Sequence, residues 1–193
     1  MLDAIVERIS ASVTESYINF LIRKIPLFLS IFYDHLPDLL KRVQTEKLHI
    51  WLAEYCAENG IYDVDVCVTK ENILATLDKH ADELDIDKAI AKLPKTVRDF
   101  ASEVVDMVAR LIAIVKRNLN IKLANEDQFL EFLLRLLEYG IATSGFGNVP
   151  NEVQVTYRRL VELRAKYPNL TRRVFGWLLD KALEVEASGE PLP

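Results

Sequence analysis

Residues 94–115, PKTVRDFASEVVDMVARLIAIV, carry the most regular hydrophobic pattern in this chain of 193 residues. The spacing alternates between four and three along the apolar residues Val97, Ala101, Val104, Val108, Leu111 and Val115. This heptad register predicts one apolar face of a long α-helix. Pro94 suits the first helical turn, where its missing N–H costs nothing. Because residues 111–115 are apolar on every side, we expect this helix to be central and covered on several sides.

Helical spacing extends along most of the chain on both sides of this segment. Half of the residues are hydrophobic, 27% are charged and only six are glycine, which excludes a disordered chain and disfavours hairpin-rich folds. We therefore predict an all-α fold, a multi-helix bundle of about seven helices. It should form a single helical domain over 1–193, with 1–60 as a candidate semi-separate N-terminal lobe and 188–193 as a frayed tail.

The segment 61–69 breaks the helical pattern. Val64, Val66 and Val68 alternate with polar residues or cysteine, which is typical of a strand. No partner strand is evident, and a lone strand cannot satisfy its backbone hydrogen bonds, so we predict an extended loop near 61–69. Gly60 is expected to end the preceding helix, and Thr69 to cap the next one. Further on, Asn125 with Gln128 resembles a capping box.

The two cysteines, Cys56 and Cys67, form neither a CxxC motif nor a disulfide-rich pattern. We favour free thiols in a reducing cytosol, with a bridge around Gly60 as the alternative. The N-terminal residues lack the apolar run of a signal peptide, and no stretch approaches the roughly 20 apolar residues of a transmembrane segment. The chain is therefore predicted to be cytoplasmic, and its sparse glutamine hints at a thermophilic source.

Charge is uneven along the chain despite its net value of −5, which disfavours general binding to nucleic acids. Between 158 and 173 only Glu162 is acidic, whereas six residues are basic: Arg158, Arg159, Arg164, Lys166, Arg172 and Arg173. This basic stretch could bind nucleic-acid phosphates or an acidic partner. The alternative is internal pairing with the acidic segment 61–93. Arg164 projects into an apolar stripe beside Tyr157 and Leu160, which favours an ion pair there.

The loop around 140–147 holds three of the six glycines and precedes this basic stretch. A glycine loop that leads into a helix can bind an anion, but a phosphate loop would follow a strand and carry G-K-[ST]. We therefore interpret the loop as a connection between helices. Phe146, an aromatic residue flanked by glycines, is a candidate anchor for a partner protein.

Two weak patterns could bind a metal ion. Glu46 and His49 form one E-x-x-H, with Cys56 on the same helical face, whereas di-iron bundles need two such copies. Glu103 and Asp106 form an E-x-x-D that resembles half of the magnesium signature of the all-α nucleotide pyrophosphohydrolases of the MazG type. The other half, E-E-x-x-E, is missing upstream. That resemblance implies divalent-metal chemistry at Asp82, Glu83, Glu103 and Asp106.

These patterns lead to three hypotheses about function. Because several helices are apolar nearly all round and no catalytic residues can be assigned, we favour a non-catalytic helical interaction or assembly protein, either a homo-oligomer or a subunit of a larger complex. The second hypothesis is a nucleic-acid-associated subunit that uses one basic face at 158–173. The third is a small metal-dependent nucleotide hydrolase. The favoured hypothesis involves a protein partner or self-association, no metal and no cofactor.

Overall fold

The computed structural model describes residues 24, 34, 35, 38, 45–119, 125–142 and 151–188. Within those ranges it contains eight α-helices, one 3-10 turn and no strand, which confirms the predicted all-α multi-helix bundle. The helices are α1 (Thr45–Glu58), α2 (Val64–Cys67), α3 (Lys70–Lys79), α4 (Ile86–Ala91), α5 (Lys95–Leu119), α6 (Glu126–Ala142), α7 (Asn151–Lys166) and α8 (Pro168–Ala187). The 3-10 turn is Ala81–Glu83.

Several helix ends follow the predicted local signals. Gly60 has a φ of 70° and ends α1 in a left-handed conformation that glycine adopts without strain. The Thr69 hydroxyl accepts a hydrogen bond from the Asn72 amide at 3.2 Å and caps α3. The Asn125 side chain accepts one from the Gln128 amide at 3.3 Å and caps α6. The short-range capping predictions are therefore confirmed.

Helix α8 is the centre of the bundle. It packs most extensively against α5 and also contacts α3, α4, α6, α7 and the 3-10 turn. Its buried residues are Leu170, Thr171, Val174, Phe175, Leu178, Leu179 and Ala182. Phe175 meets Phe129 of α6 edge to face, with the ring centroids 6.4 Å apart. Helix α5 buries the predicted face at Ala101, Val104, Val108 and Leu111, whereas α8 contacts the largest number of neighbours among the helices that the structure describes.

The segment 61–69 is less extended than predicted. Residues 61–63 are non-helical, but the next four form α2, a single helical turn. The Asp63 carboxylate accepts the Asp65 amide at 2.9 Å, which caps this turn. No residue of α2 is buried. The alternation of valine therefore reflects a short outward-facing helix rather than an extended segment.

Cys56 and Cys67 form a disulfide, so the free-thiol interpretation is wrong. Gly60 reverses the chain and brings α2 back beside α1. The two Cα atoms then lie 5.9 Å apart, within the range that a disulfide spans. The bridge therefore closes a short loop around Gly60, as the alternative prediction had it.

Helix α1 packs on α3 and shares the main apolar core. Leu48 and Trp51 belong to the same buried cluster as the α8 residues, and the Trp51 ring stacks on His80 at 4.2 Å. Most of the predicted 1–60 lobe, Phe146 and residues 189–193 of the predicted tail lie outside the described residues. Among the helices that the structure describes, none combines the length and apolar character needed to cross a membrane.

Candidate functional site

Two arginines of the basic stretch are paired with acids of α6. Arg164 Nη1 lies 3.1 Å from Glu131 Oε2, and Arg172 Nε lies 3.0 Å from Asp127 Oδ1. The predicted ion pair of Arg164 is therefore confirmed, although its side chain is half-buried rather than enclosed. Each pair is partly solvated and contributes well under about 1 kcal/mol to stability, but it occupies donors that a phosphate would need.

A third arginine takes part in a charge cluster around Asp34. Arg159 Nη2 and Lys70 Nζ each lie 2.8 Å from Asp34 Oδ1. Partial burial works against the charged carboxylate, but hydrogen bonds from Lys70 and Arg159 outweigh it and hold the pKa of Asp34 below its usual value. Arg159 is therefore also engaged within the chain.

The remaining basic residues differ from one another. Lys166 pairs with Glu162 on its own helix at 3.3 Å, and Arg173 donates to the Leu84 carbonyl at 3.2 Å. Arg158 is exposed, and nothing in the described ranges pairs with it. The basic stretch was expected to pair with the acidic segment 61–93, but only Arg173 contacts that segment in the described ranges. The partners of the other paired residues lie on α6, on α7 and at Asp34.

Polar contacts also join α6 to α7 at Tyr157. Its hydroxyl donates to Glu138 Oε1 at 2.7 Å, and Arg135 Nη1 lies 3.4 Å from the other oxygen of that carboxylate. Burial and the bond to Glu138 raise the pKa of Tyr157, so the phenol stays protonated. Helix α7 is therefore joined to α6 by polar side chains, while its Leu160 is buried in the apolar core.

The acids singled out as candidate metal ligands do not converge. Across the described ranges, no group of three histidine, cysteine or acidic side chains is arranged to hold a metal ion. The sulfur of Cys56 is bonded to Cys67, so it cannot serve as a metal ligand together with Glu46 and His49. His80, which faces the Trp51 ring, has Nδ1 3.1 Å from Glu83 Oε2.

An exposed apolar surface surrounds α2. Tyr62, Val64, Val66 and Val68 are 83%, 72%, 54% and 48% exposed, and we call these four residues the tip surface. A cleft of about 330 Å³ opens beside them. Its walls come from α1, α2 and α3: Leu48, His49, Leu52, Ala53, Val64, Cys67, Val68 and Ile73. Exposed aliphatic residues thus continue into a largely aliphatic depression.

The tip surface is held firmly despite its exposure. The disulfide ties the end of α2 to α1, and the Asn72 side chain donates to the carbonyls of Val66 and Cys67 at 3.1 and 3.0 Å. Asp63 and Asp65 are exposed on either side of Val64. The result is a rigid apolar surface with acidic residues at its edge.

A second exposed surface lies on α7, and we call its residues Val155, Arg158 and Val161 the outer face of α7. The two valines are 55% and 42% exposed. At 3.6 residues per turn they lie roughly 60° to either side of Arg158 around the helix axis. Arg158, which has no ion-pair partner in the part of the chain that the structure describes, therefore lies between two exposed aliphatic side chains.

Sequence reasoning singled out Arg158 but missed the tip surface. The alternation of Val64, Val66 and Val68 was visible, but we attributed it to an extended loop. The signal in the sequence is the short distance between Gly60 and the next cap at Thr69, which leaves room for only one helical turn. One turn is too short to bury an apolar face, so Val64, Val66 and Val68 stay exposed.

No protein-family model matches this chain, and no curated protein or solved structure matches it either.

Proposed function

We propose that this chain is a non-catalytic assembly protein that self-associates through the tip surface. The observation that carries the proposal is the exposure of Tyr62, Val64, Val66 and Val68 beside an apolar cleft. Exposed apolar side chains beside an apolar cleft are a common feature of surfaces that bind other proteins. Burying these side chains against another chain would therefore be favourable.

The rigidity of the tip surface supports an interface. Binding costs less conformational entropy when the contacting residues are already ordered. The disulfide and the Asn72 hydrogen bonds supply that order in the isolated chain.

The lining of the cleft favours binding over catalysis. Apart from His49 and the Cys67 sulfur, its walls are aliphatic. Such a lining suits apolar side chains of a partner, since it holds no pair of groups for general acid and base catalysis.

The nucleic-acid hypothesis stays a prediction that receives less support. Five of the six basic residues at 158–173 already contact carboxylates or a backbone carbonyl. A phosphate would have to displace those contacts, and only Arg158 offers its guanidinium without doing so.

Cytoplasmic location and a thermophilic source also stay predictions, and the Cys56–Cys67 disulfide bears on both. Structural disulfides are rare in the cytosol of mesophiles but frequent in intracellular proteins of hyperthermophiles. A cytoplasmic chain with this disulfide is therefore best reconciled with a hyperthermophilic source.

Sedimentation velocity at rising concentration tests the proposed function. We expect the weight-average sedimentation coefficient of the wild type to rise with concentration, and Val64→Asp to weaken association at least about tenfold, since it loses apolar burial and adds a charge. Ile50→Asp is the matched control, because Ile50 is 59% exposed on α1 but does not line the cleft.

Thermal unfolding followed by circular dichroism establishes that both variants fold. A wild type that stays monomeric at every concentration contradicts the proposal. So does a folded Val64→Asp variant that associates as strongly as the wild type.

A further inference from the structure

We infer that the tip surface of one copy docks on the outer face of α7 of a second copy, in a head-to-tail contact. This inference rests on the proposed self-association and names the surface that receives the tip. Its basis is the complementarity between two surfaces of the same chain: one apolar with acidic neighbours, the other apolar with an exposed arginine.

The charges of the two surfaces are opposite. Asp63 and Asp65 flank Val64 at the tip, whereas Arg158 lies between Val155 and Val161 on α7. Since Arg158 has no acidic partner in the described ranges, it can bind a carboxylate of a neighbouring chain without giving up an internal pair. Arg159, one residue away, is already held by Asp34.

The same charges disfavour the symmetric alternatives. A two-fold contact between two tip surfaces would bring the aspartates of both copies, Asp63 and Asp65, into one interface with no basic residue of the tip surface between them. A two-fold contact between two α7 faces would bring Arg158 against Arg158. Like charges opposed at an interface are costly, whereas the head-to-tail arrangement opposes aspartate to arginine.

The apolar parts of the two surfaces also match. The cleft of about 330 Å³ beside Val64 and Val68 is concave and largely aliphatic. Val155 and Val161 project outward from helix α7, so they offer a convex counterpart. A helix that lays an aliphatic face into an apolar groove is a recurrent mode of protein recognition.

A head-to-tail contact leaves one tip surface and one α7 face unused in every dimer. Further copies can therefore add until a ring closes or a filament grows. This property distinguishes the contact from any two-fold interface, in which a dimer has used both of its surfaces.

Mixing two blocked variants tests the inference. Val64→Asp blocks the tip but keeps the outer face of α7, and Arg158→Glu blocks that face but keeps the tip. The protein concentration is chosen so that the wild type associates but a tenfold weaker contact leaves each variant alone monomeric. By sedimentation velocity at that concentration an equimolar mixture should form a 1:1 dimer and nothing larger. The chain of 193 residues with the disulfide intact is used throughout.

A charge swap provides the specificity control. Asp65→Lys alone should weaken association about tenfold, as a charge reversal at an interface does, and Arg158→Glu alone should do the same. Asp65→Lys and Arg158→Glu in one chain should restore much of the loss. Lys166→Glu, on the same helix but about 80° from Arg158, should associate like the wild type.

Three results would overturn the inference. If Arg158→Glu associates like the wild type while Val64→Asp does not, the tip surface is an interface but it does not bind the outer face of α7. If the mixture of blocked variants stays monomeric, the two surfaces do not meet. If the wild type itself is monomeric, both this inference and the proposed function are wrong.

Discussion

The region around α8 and the region around α2 are stabilised by different means. Around α8, seven residues of one helix are buried among five neighbouring helices and the 3-10 turn. In α2 no residue is buried, and the turn is held by a disulfide, an Asp63 cap and two hydrogen bonds from Asn72. The first region is held by packing, and the second by covalent and local polar contacts.

This difference explains how valines can stay in solvent at the tip surface. Where burial holds a segment in place, its apolar residues are committed to the core. Where a cross-link and caps do so, the apolar side chains are available for contact with another chain. The tip surface can therefore be ordered and exposed at the same time.

Replacing one apolar residue by alanine in each region is expected to give the largest difference in stability. Phe175→Ala should lower the free energy of unfolding by about 3–5 kcal/mol, because the ring is fully buried and packs edge to face on Phe129. Val64→Ala should change it by less than about 0.5 kcal/mol, since Val64 is 72% exposed. Urea denaturation of both variants measures the two values. If the two variants lose similar amounts of unfolding free energy, the distinction between a region held by packing and one held by a cross-link is wrong.

Removing the disulfide is expected to have the next largest effect. Cys56→Ala with Cys67→Ala should cost about 2–3 kcal/mol, because the bridge closes a short loop of 11 residues of sequence separation. Amide hydrogen exchange should speed up most in residues 61–69 and least in α8. Equal acceleration in both regions would show that the tip is held by the same packing as the core.

The features that could be predicted from sequence are short-range ones. Gly60, Thr69 and Asn125 act within four residues of themselves, so their roles as a helix stop and as caps follow from residue type. The apolar face of α5 was predictable for the same reason. The choice of α8 as the central helix was not, because it depends on how several amphipathic helices pack together.

The candidate site was predictable only in part because its partners are distant in sequence. Arg159 meets Asp34 across 125 residues, and Arg164 meets Glu131 across 33. Residue spacing fixes which side of α7 is polar, but it does not say which acids lie opposite. The bridge between Cys56 and Cys67 was one of two alternatives, and the choice between it and free thiols required the distance between the two residues in three dimensions.

The smallest predicted effect concerns Asp87, a polar contact at the edge of the α8 core. Its Oδ1 accepts a hydrogen bond from Trp177 Nε1 at 2.7 Å and lies 3.3 Å from Lys181 Nζ. The Trp177 bond, together with Lys181 and against some desolvation, holds the pKa of Asp87 below its usual value. The stabilisation is therefore present above the unfolded-state pKa of about 3.9 and is lost as pH falls through the lower folded-state value.

Because the Asp87 side chain is 66% exposed, solvent screening should limit this contribution to about 0.5 kcal/mol or less. Asp87→Asn should therefore show a slightly smaller loss of stability than the wild type between pH 5 and pH 2, measured by urea denaturation at each pH. If Asp87→Asn instead costs as much at neutral pH as Phe175→Ala, polar contacts hold the α8 region as strongly as packing does. The contrast between a packed core and a cross-linked tip would then be wrong, since both regions would depend on specific polar contacts.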